Sequence, residues 1–195
     1  MIQRIAVYCS ASDAVPQVYN DAAYRLGQIL GETGIELVYG DGGIGLMKHV
    51  SDGVLDAGGK AIGVIPRFMV EQGWNNLRST RTIVTESMHE RQAVITDMVD
   101  AMVALPGGVG TMAEIFECLT WKQLSLHGKP IVFLNTDGYF TPVLAAIDRM
   151  VDERFMQPLH RDAMFTVVSE PTEVLPAVAA AAEWGAEMRS KARTI

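Results

Sequence analysis

Glu114 stands three residues after Thr111, and Thr111 closes the run Leu105-Pro106-Gly107-Gly108-Val109-Gly110-Thr111, in which glycines join an apolar stretch (Met102 to Leu105) to a segment of helical periodicity. A glycine-rich turn at such a junction is where α/β proteins hold phosphates. Glycines let a ligand approach the backbone, and the first N–H groups of the following helix lack an internal partner. The stretch therefore offers an anion seat at Gly107, Gly108, Gly110 and Thr111 and, one helical turn on, a carboxylate able to act as a base. Chemistry on a phosphorylated substrate is the expectation. The spacing Thr111-x-x-Glu114 also fits a capping box, in which the two side chains satisfy the helix's own orphan donors. Spacing alone leaves both readings open, although Pro-Gly-Gly-x-Gly holds more glycine than a βα connection needs.

Three further segments carry candidate chemistry. Tyr39-Gly40-Asp41-Gly42-Gly43-Ile44-Gly45-Leu46 satisfies GxGxxG, yet it follows the second strand instead of the first. The next strand ends Ile65-Pro66-Arg67, with no acid placed to hold a ribose 2′-hydroxyl. NAD is thus not expected, and NADP through Arg67 is only slightly better supported; close packing of strand and helix is the structural reading of these glycines. Cys9-Ser10-Ala11-Ser12 supplies small residues and hydroxyls of the sort that contact a sugar or base. Ser87-Met88-His89-Glu90-Arg91-Gln92-Ala93 reads as the start of a helix with His89, Arg91 and Gln92 on its polar face. An arginine there pairs bidentately with a phosphate or orients a carboxylate, and His89 reads as a structural hydrogen-bonder.

The elements that must position these residues follow from composition and pattern. The chain has 195 residues, 49% of them apolar and 20% charged, which suits one well-buried domain over residues 1–195 and is too apolar for disorder. A net charge of −7 argues against general nucleic-acid affinity, so an anion must be met by a local site. The N-terminus lacks the apolar core of a signal peptide, and no run of about 18 apolar residues is present for a membrane span; a cytoplasmic protein is expected. Cys9 and Cys118 read as buried thiols, and the four histidines show no ligand spacing, so no metal is expected.

Short β-branched runs (Ile5 to Tyr8, Ile35 to Tyr39, Ala61 to Ile65, Thr82 to Val84, Ala101 to Leu105, Ile131 to Leu134, Phe165 to Val168) alternate with segments of helical spacing. The helical segments are Val18 to Leu30, Leu46 to Ala57, Met88 to Met98, Met112 to Leu126, Pro142 to Val151 and Thr172 to Trp184. That alternation predicts a doubly wound, mostly parallel α/β sheet, Rossmann-like, with ligands beyond the carboxyl ends of the strands. Arg67 to Arg81 reads as irregular, and Arg189 to Ile195 as a fraying end.

Taken together, these pieces resemble the LONELY GUY family, the cytokinin riboside 5′-monophosphate phosphoribohydrolases, often mislabelled lysine decarboxylases. The likeness runs from Ile5 to about Val174. Cys9 to Ser12 stands against the family's CGSS, Val38 to Met47 against VYGGGxxGLM, Gly63 to Pro66 against GVIP, and Met88 to Ala93 against MHxRKA. Leu105 to Glu114 matches LPGGxGTxxE, continued by Thr120-Trp121-Lys122-Gln123-Leu124, Lys129-Pro130 and Asp137-Gly138-Tyr139. The resemblance implies hydrolysis of the N-glycosidic bond between an adenine, plain or N6-substituted, and ribose 5′-monophosphate, by a homodimer without a cofactor. It assigns Arg91 and Glu114 as the catalytic pair, Gly107, Gly108, Gly110 and Thr111 as the phosphate turn, and Thr120, Gln92, Ser12, Gly42 and Met88 as substrate contacts. Lysine decarboxylation would need pyridoxal phosphate on a lysine Schiff base, which none of these motifs supplies.

The chain departs from the family pattern at several points. Asp41 replaces the middle glycine of VYGGG, which predicts a carboxylate where substrate approaches; Lys48 replaces the glycine after GLM; Ser10-Ala11 stands for Gly-Ser; Gln92 replaces a lysine. A substrate-contacting glutamate of the family falls on Gly73, with Glu71 nearby. The alternative is a non-catalytic nucleotide or molybdenum-cofactor carrier, since related proteins of this fold bind without hydrolysing.

Overall fold

The computed structural model describes residues 2–184. Its strands are β1 (Arg4–Tyr8), β2 (Glu36–Tyr39), β3 (Ala61–Pro66), β4 (Arg81–Thr85), β5 (Ala101–Ala104), β6 (Ile131–Leu134) and β7 (Thr166–Val168). Its helices are α1 (Gln17–Glu32), α2 (Gly45–Asp56), α3 (Arg67–Glu71), α4 (Met88–Met98), α5 (Val109–Gln123), α6 (Thr141–Asp152), α7 (Pro158–Ala163) and α8 (Val174–Ala180). All strand pairs are parallel, in the order β4-β3-β2-β1-β5-β6-β7. The expected doubly wound fold is the observed one.

Burial on both faces explains the strand sequences. β5 (Ala-Met-Val-Ala) and β6 (Ile-Val-Phe-Leu) are buried throughout, as strands covered by helices on either side must be. On one face Ile5, Val7 and Val103 pack with Leu26 and Leu30 of α1, Val50 and Val54 of α2 and Val178 of α8. On the other, Ala6, Met102 and Phe133 pack with Ile95 of α4, Ile115 and Cys118 of α5 and Ile147 of α6. Each large apolar side chain buried this way contributes about 1.5–3 kcal/mol, and together these contacts fix which loops meet at the sheet's edge.

The order reverses between β1 and β5, which pair directly, Tyr8 opposite Ala104. The chain leaves β1 for α1 on one face and β5 for α5 on the other, so a crevice opens between the two loops at the carboxyl ends. Cys9 to Ser12 and Gly107 to Thr111 are those loops.

Several elements differ from expectation at their ends. α5 begins at Val109, three residues early, because Gly108 takes the N-cap position, and it stops at Gln123, after which Ser125 turns the chain at φ 55°. The helix expected from Thr172 to Trp184 is a 3-10 turn at Pro171–Glu173 followed by α8, ending at Ala180. Its alanine run has no stop signal; the chain leaves the helical path where Trp184 is buried beside Lys122 and His160. The irregular segment contains α3 and one antiparallel bridge, Gly42 to Asn75. α7, six residues long, is too short to show a period. The fraying expected of Arg189 to Ile195 lies outside the described residues. No helix among the described residues is long and apolar enough to cross a membrane.

Candidate active site

A cavity of about 550 Å³ fills the crevice. Ser12 from the β1 loop, Gly42 from the β2 loop, Met88 and Arg91 from α4, and Gly108, Gly110, Thr111 and Glu114 from α5 all line it.

Arg91 is placed by the cap of its helix. The Ser87 side chain accepts the Glu90 N–H (3.1 Å), and Glu90 Oε2 accepts the Glu86 N–H (2.7 Å). The serine-x-x-glutamate signature that starts a helix here is therefore Ser87 to Glu90, a signal the sequence analysis did not use. It starts α4 at Met88, so Arg91 emerges within the first turn, under the β2 loop. Arg91 as a residue is 5% exposed. Its Nε donates to the Val64 carbonyl (3.0 Å), and its Nη1 pairs with Glu114 Oε1 at 2.8 Å and lies 3.8 Å from Met88 Sδ. Gly40 is glycine because a Cβ there would overlap Arg91 Nη2.

Glu114 is not a cap. The N-cap of α5 is Gly108, no side chain caps the helix, and Thr111 is its third residue, packed against Gly107. The Glu114 carboxylate instead faces Arg91 and the cavity. Burial pushes its carboxyl above the usual range, and the Arg91 charge pulls it part of the way back. The result is a carboxylate held by one strong donor that takes up a proton at higher pH than an exposed glutamate.

The other end of the cavity is the start of α5. The N–H groups of Val109, Gly110 and Thr111 precede the first intrahelical bond, from Met112 N–H to the Gly108 carbonyl (3.0 Å). A Cβ at Gly108 or Gly110 would meet nothing within 4 Å. Gly107 differs: a side chain there would collide with Thr111, so this glycine serves packing, and its carbonyl accepts the Tyr139 hydroxyl (2.6 Å).

Other expected contacts lie elsewhere. Gln92 turns away from the cavity and donates through Nε2 to the Glu114 carbonyl (3.0 Å) and to Cys118 Sγ (3.1 Å), fastening α4 to α5. Thr120 is exposed and donates to the Phe116 carbonyl of its own helix (2.8 Å). Asp41 does not present its carboxylate to substrate: it is fully buried and accepts from Ser79 Oγ and Thr82 Oγ1. Lys48 pairs with Asp52, and Arg67 is engaged by Glu86. Gly73 turns the chain at φ 73°, and Glu71 is exposed. Cys9 and Cys118 are buried free thiols; burial raises both, Cys118 to about 11, so neither is an activated thiolate. Sequence reasoning did not single out the apolar lining of Ile44, Met47, Ile65, Met69 and Trp74. Ile44 and Trp74, large apolar residues set singly beside glycines, were the available signal; Met47, Ile65 and Met69 lie in apolar runs and gave none.

Residues 47–178 match the model of a protein family described as "possible lysine decarboxylase". The cytokinin riboside 5′-monophosphate phosphoribohydrolase LOG of Oryza sativa subsp. japonica is 43% identical over 170 residues, 87% of this chain and 69% of that protein. LOG3 of Arabidopsis thaliana, of the same name, is 41% identical over 170 residues, 87% of this chain and 78% of that protein. Among solved structures, the molybdenum cofactor carrier protein of Chlamydomonas reinhardtii superposes with a TM-score of 0.72 at 22% identity, covering 92% of this chain and 97% of that one. The molybdenum cofactor binding protein of Rippkaea orientalis gives 0.71 at 22%, covering 92% and 96%. At that identity the likeness speaks to the fold alone.

Proposed function

The chain belongs to this family, which includes the LOG phosphoribohydrolases, and from that premise we propose that it hydrolyses the N-glycosidic bond of an adenosine 5′-monophosphate, plain or N6-substituted. The products are the free base and ribose 5-phosphate. The observation that carries the reading is the Arg91–Glu114 pair on the wall of a cavity whose other end is the open N-terminus of α5.

The chemistry follows from that arrangement. Cleavage passes through an oxocarbenium-like ribose, so a carboxylate near C1′ stabilises the positive ring and takes a proton from the attacking water. The electron pair of the broken C1′–N bond leaves with the base, which takes up one proton; the water's hydroxyl ends on C1′, and the proton that Glu114 accepted returns to solvent, so that one water is consumed per bond broken. Glu114 is that carboxylate, and Arg91 holds it in place. The N–H groups at Gly108 to Thr111 take the 5′-phosphate, whose binding energy is spent on positioning the ribose. Gly110 and Glu114 are four residues apart, about 6 Å along the helix, close to the reach of ribose between its phosphate and its anomeric carbon. Ser12, Gly42 and Met88 complete the wall. Among the described residues no lysine lines this cavity, so these residues offer the decarboxylase description no Schiff-base lysine.

The same reading takes the protein as a cytoplasmic homodimer, with exposed Val109, Leu124 and Leu126 supplying apolar surface for a second copy. The test of function is direct. Incubated with AMP or isopentenyladenosine monophosphate, the protein releases base and ribose 5-phosphate in equal amounts, measured by chromatography. Tight binding of either nucleotide with no base released would point instead to a carrier.

A further inference from the structure

We propose that Asp41 is a positioning residue that anchors residues 73–80, so that Trp74 stands as the base-side wall of the cavity and stacks on the purine. The choice of substrate rests on the phosphoribohydrolase reading; the anchoring geometry does not.

Asp41 adopts φ 58°, a conformation glycine takes without strain. What holds an aspartate there is its set of partners. The fully buried carboxylate accepts from Ser79 Oγ and, at 2.9 Å, from Thr82 Oγ1, and it occupies the space that a side chain at Gly63 would need. Its backbone carbonyl accepts the Asn76 N–H at 2.7 Å. The Tyr39 hydroxyl lies 2.8 Å from Ser79 Oγ, and Asn76 Nδ2 donates to Ser51 Oγ at 2.9 Å. Tyr39 at the strand end and Asp41 just after it thus grip the far part of the segment through part-buried hydrogen bonds, backed by the buried Asn76–Ser51 bond, and such bonds are stronger where water competes less.

Trp74 lies at the near end of the same grip. Its carbonyl accepts the Gly43 N–H at 3.2 Å, and Asn75 bridges Gly42. The indole lines the cavity and is 56% exposed, next to Ile44 and Met69 on the same lining. A half-exposed tryptophan on a pinned backbone keeps its face toward the cavity, where a purine covers it; stacking of a base on an aromatic ring is tolerant of the base's edge. The outer attachment of this segment, Arg78 to Asp52 and Asp56, is exposed on the arginine side, and such pairs hold little. Asp41 therefore carries the positioning together with Tyr39 and Asn76, and it is the one of the three whose side chain is reached by two donors.

The experiment measures kcat and KM for AMP, and inhibition by ribose 5-phosphate, in the wild type, Trp74→Ala, Asp41→Gly and Asp41→Asn. Trp74→Ala raises KM about fivefold, the low end for one stacked base, or more, with kcat within about twofold and ribose 5-phosphate inhibition unchanged. Asp41→Gly reproduces that pattern, whereas Asp41→Asn, which keeps the shape, accepts from one hydroxyl through its amide oxygen and donates to the other once that hydroxyl rotates, restores values close to wild type. Should Asp41→Gly not fold, Ser79→Ala removes one donor to the same carboxylate and gives a smaller KM rise. AMP also quenches tryptophan emission in the wild type and not in Trp74→Ala, a readout that needs no hydrolysis. Quenching without base release would end the hydrolase reading and leave this inference standing. Unchanged KM and quenching in Trp74→Ala, or a loss in kcat and in ribose 5-phosphate inhibition on Asp41→Gly, would overturn it.

Discussion

The two glycine-rich turns that meet at the crevice use their glycines in opposite ways. After β2, Gly40 makes room for the Arg91 guanidinium, Gly42 for Met47 Sδ, and Gly45 for the backbone at Ala11 and Ser12. After β5, Gly108 and Gly110 face no protein atom within 4 Å. The first turn is filled by the protein's own groups, and the second is open to a ligand. The turn that satisfies GxGxxG in full is the filled one, so here the motif marks packing that seats the Arg91 guanidinium. A glycine pattern becomes a ligand site only where the missing side chains leave empty space at a helix N-terminus.

The largest expected effect breaks the link between the two turns. Glu114 on the open side and Arg91 on the filled side form one buried ion pair. Glu114→Gln keeps the size and an acceptor but no charge and no basicity, so turnover falls by about 10²–10⁴-fold. It also leaves a buried guanidinium without its counter-charge, which costs about 3 kcal/mol of stability, at the low end for breaking such a pair. The pH profile carries the same signature. Burial raises the Glu114 carboxyl, so wild-type activity falls, as pH drops, at a value above the ordinary ~4.3 of glutamate, and the glutamine variant lacks that limb. For stability the sign is opposite: a raised carboxyl contributes fully below its unfolded value, and the contribution is lost as pH rises through the folded one. Wild-type turnover in Glu114→Gln would remove the mechanism.

Next in size is the filled turn itself. Gly40→Ala drives a methyl into Arg91 Nη2 and displaces the guanidinium from Glu114. A shift of about 1 Å at a catalytic group lowers turnover on the order of a hundredfold. Gly42→Ala is the comparison on the same turn: its methyl would meet the flexible Met47 side chain, 2.8 Å from Sδ, and leave Arg91 in place, so any loss from its position on the cavity wall falls on KM and kcat stays within a few-fold. Equal losses in the two variants would mean that the turn matters as backbone and not as a seat for Arg91.

How far the sequence could anticipate this contrast depends on the range of each contact. The strands were legible because β5 and β6 are continuous apolar runs, a pattern that needs no partner to be read. Arg91 and Glu114 were legible from their motifs. Asp41 was misplaced because the hydroxyls that turn it away from the cavity lie 38 and 41 residues along the chain. Gln92 and Thr120 were expected at the substrate from the family resemblance, and a motif position does not say what lies opposite it in this chain, here α5 for one and solvent for the other. Trp74 sits in a segment with no period at all. Thr111 and Glu114 satisfied the capping spacing without capping, since helix α5 begins where Gly108 permits and not where threonine would set it.

The smallest effect sharpens the comparison most, because it separates binding from folding. Gly108 has φ −80°, which any residue adopts, and a Cβ there meets no protein atom within 4 Å. Gly108→Ala should therefore leave stability within about 0.5 kcal/mol, as for other substitutions that touch nothing. The methyl nonetheless enters the space in front of the N–H groups of Val109 to Thr111, where an anion would sit. A phosphate pushed away from one or two charge-assisted hydrogen bonds loses about 1.5 kcal/mol or more, roughly a tenfold weaker binding constant. Adenosine, which lacks the phosphate, should bind Gly108→Ala as well as it binds the wild type. Calorimetric titration of AMP and adenosine against both proteins decides the point. If the two ligands weaken equally, the methyl is obstructing the base or ribose, the open turn is not the phosphate seat, and the division of labour between the two glycine turns fails.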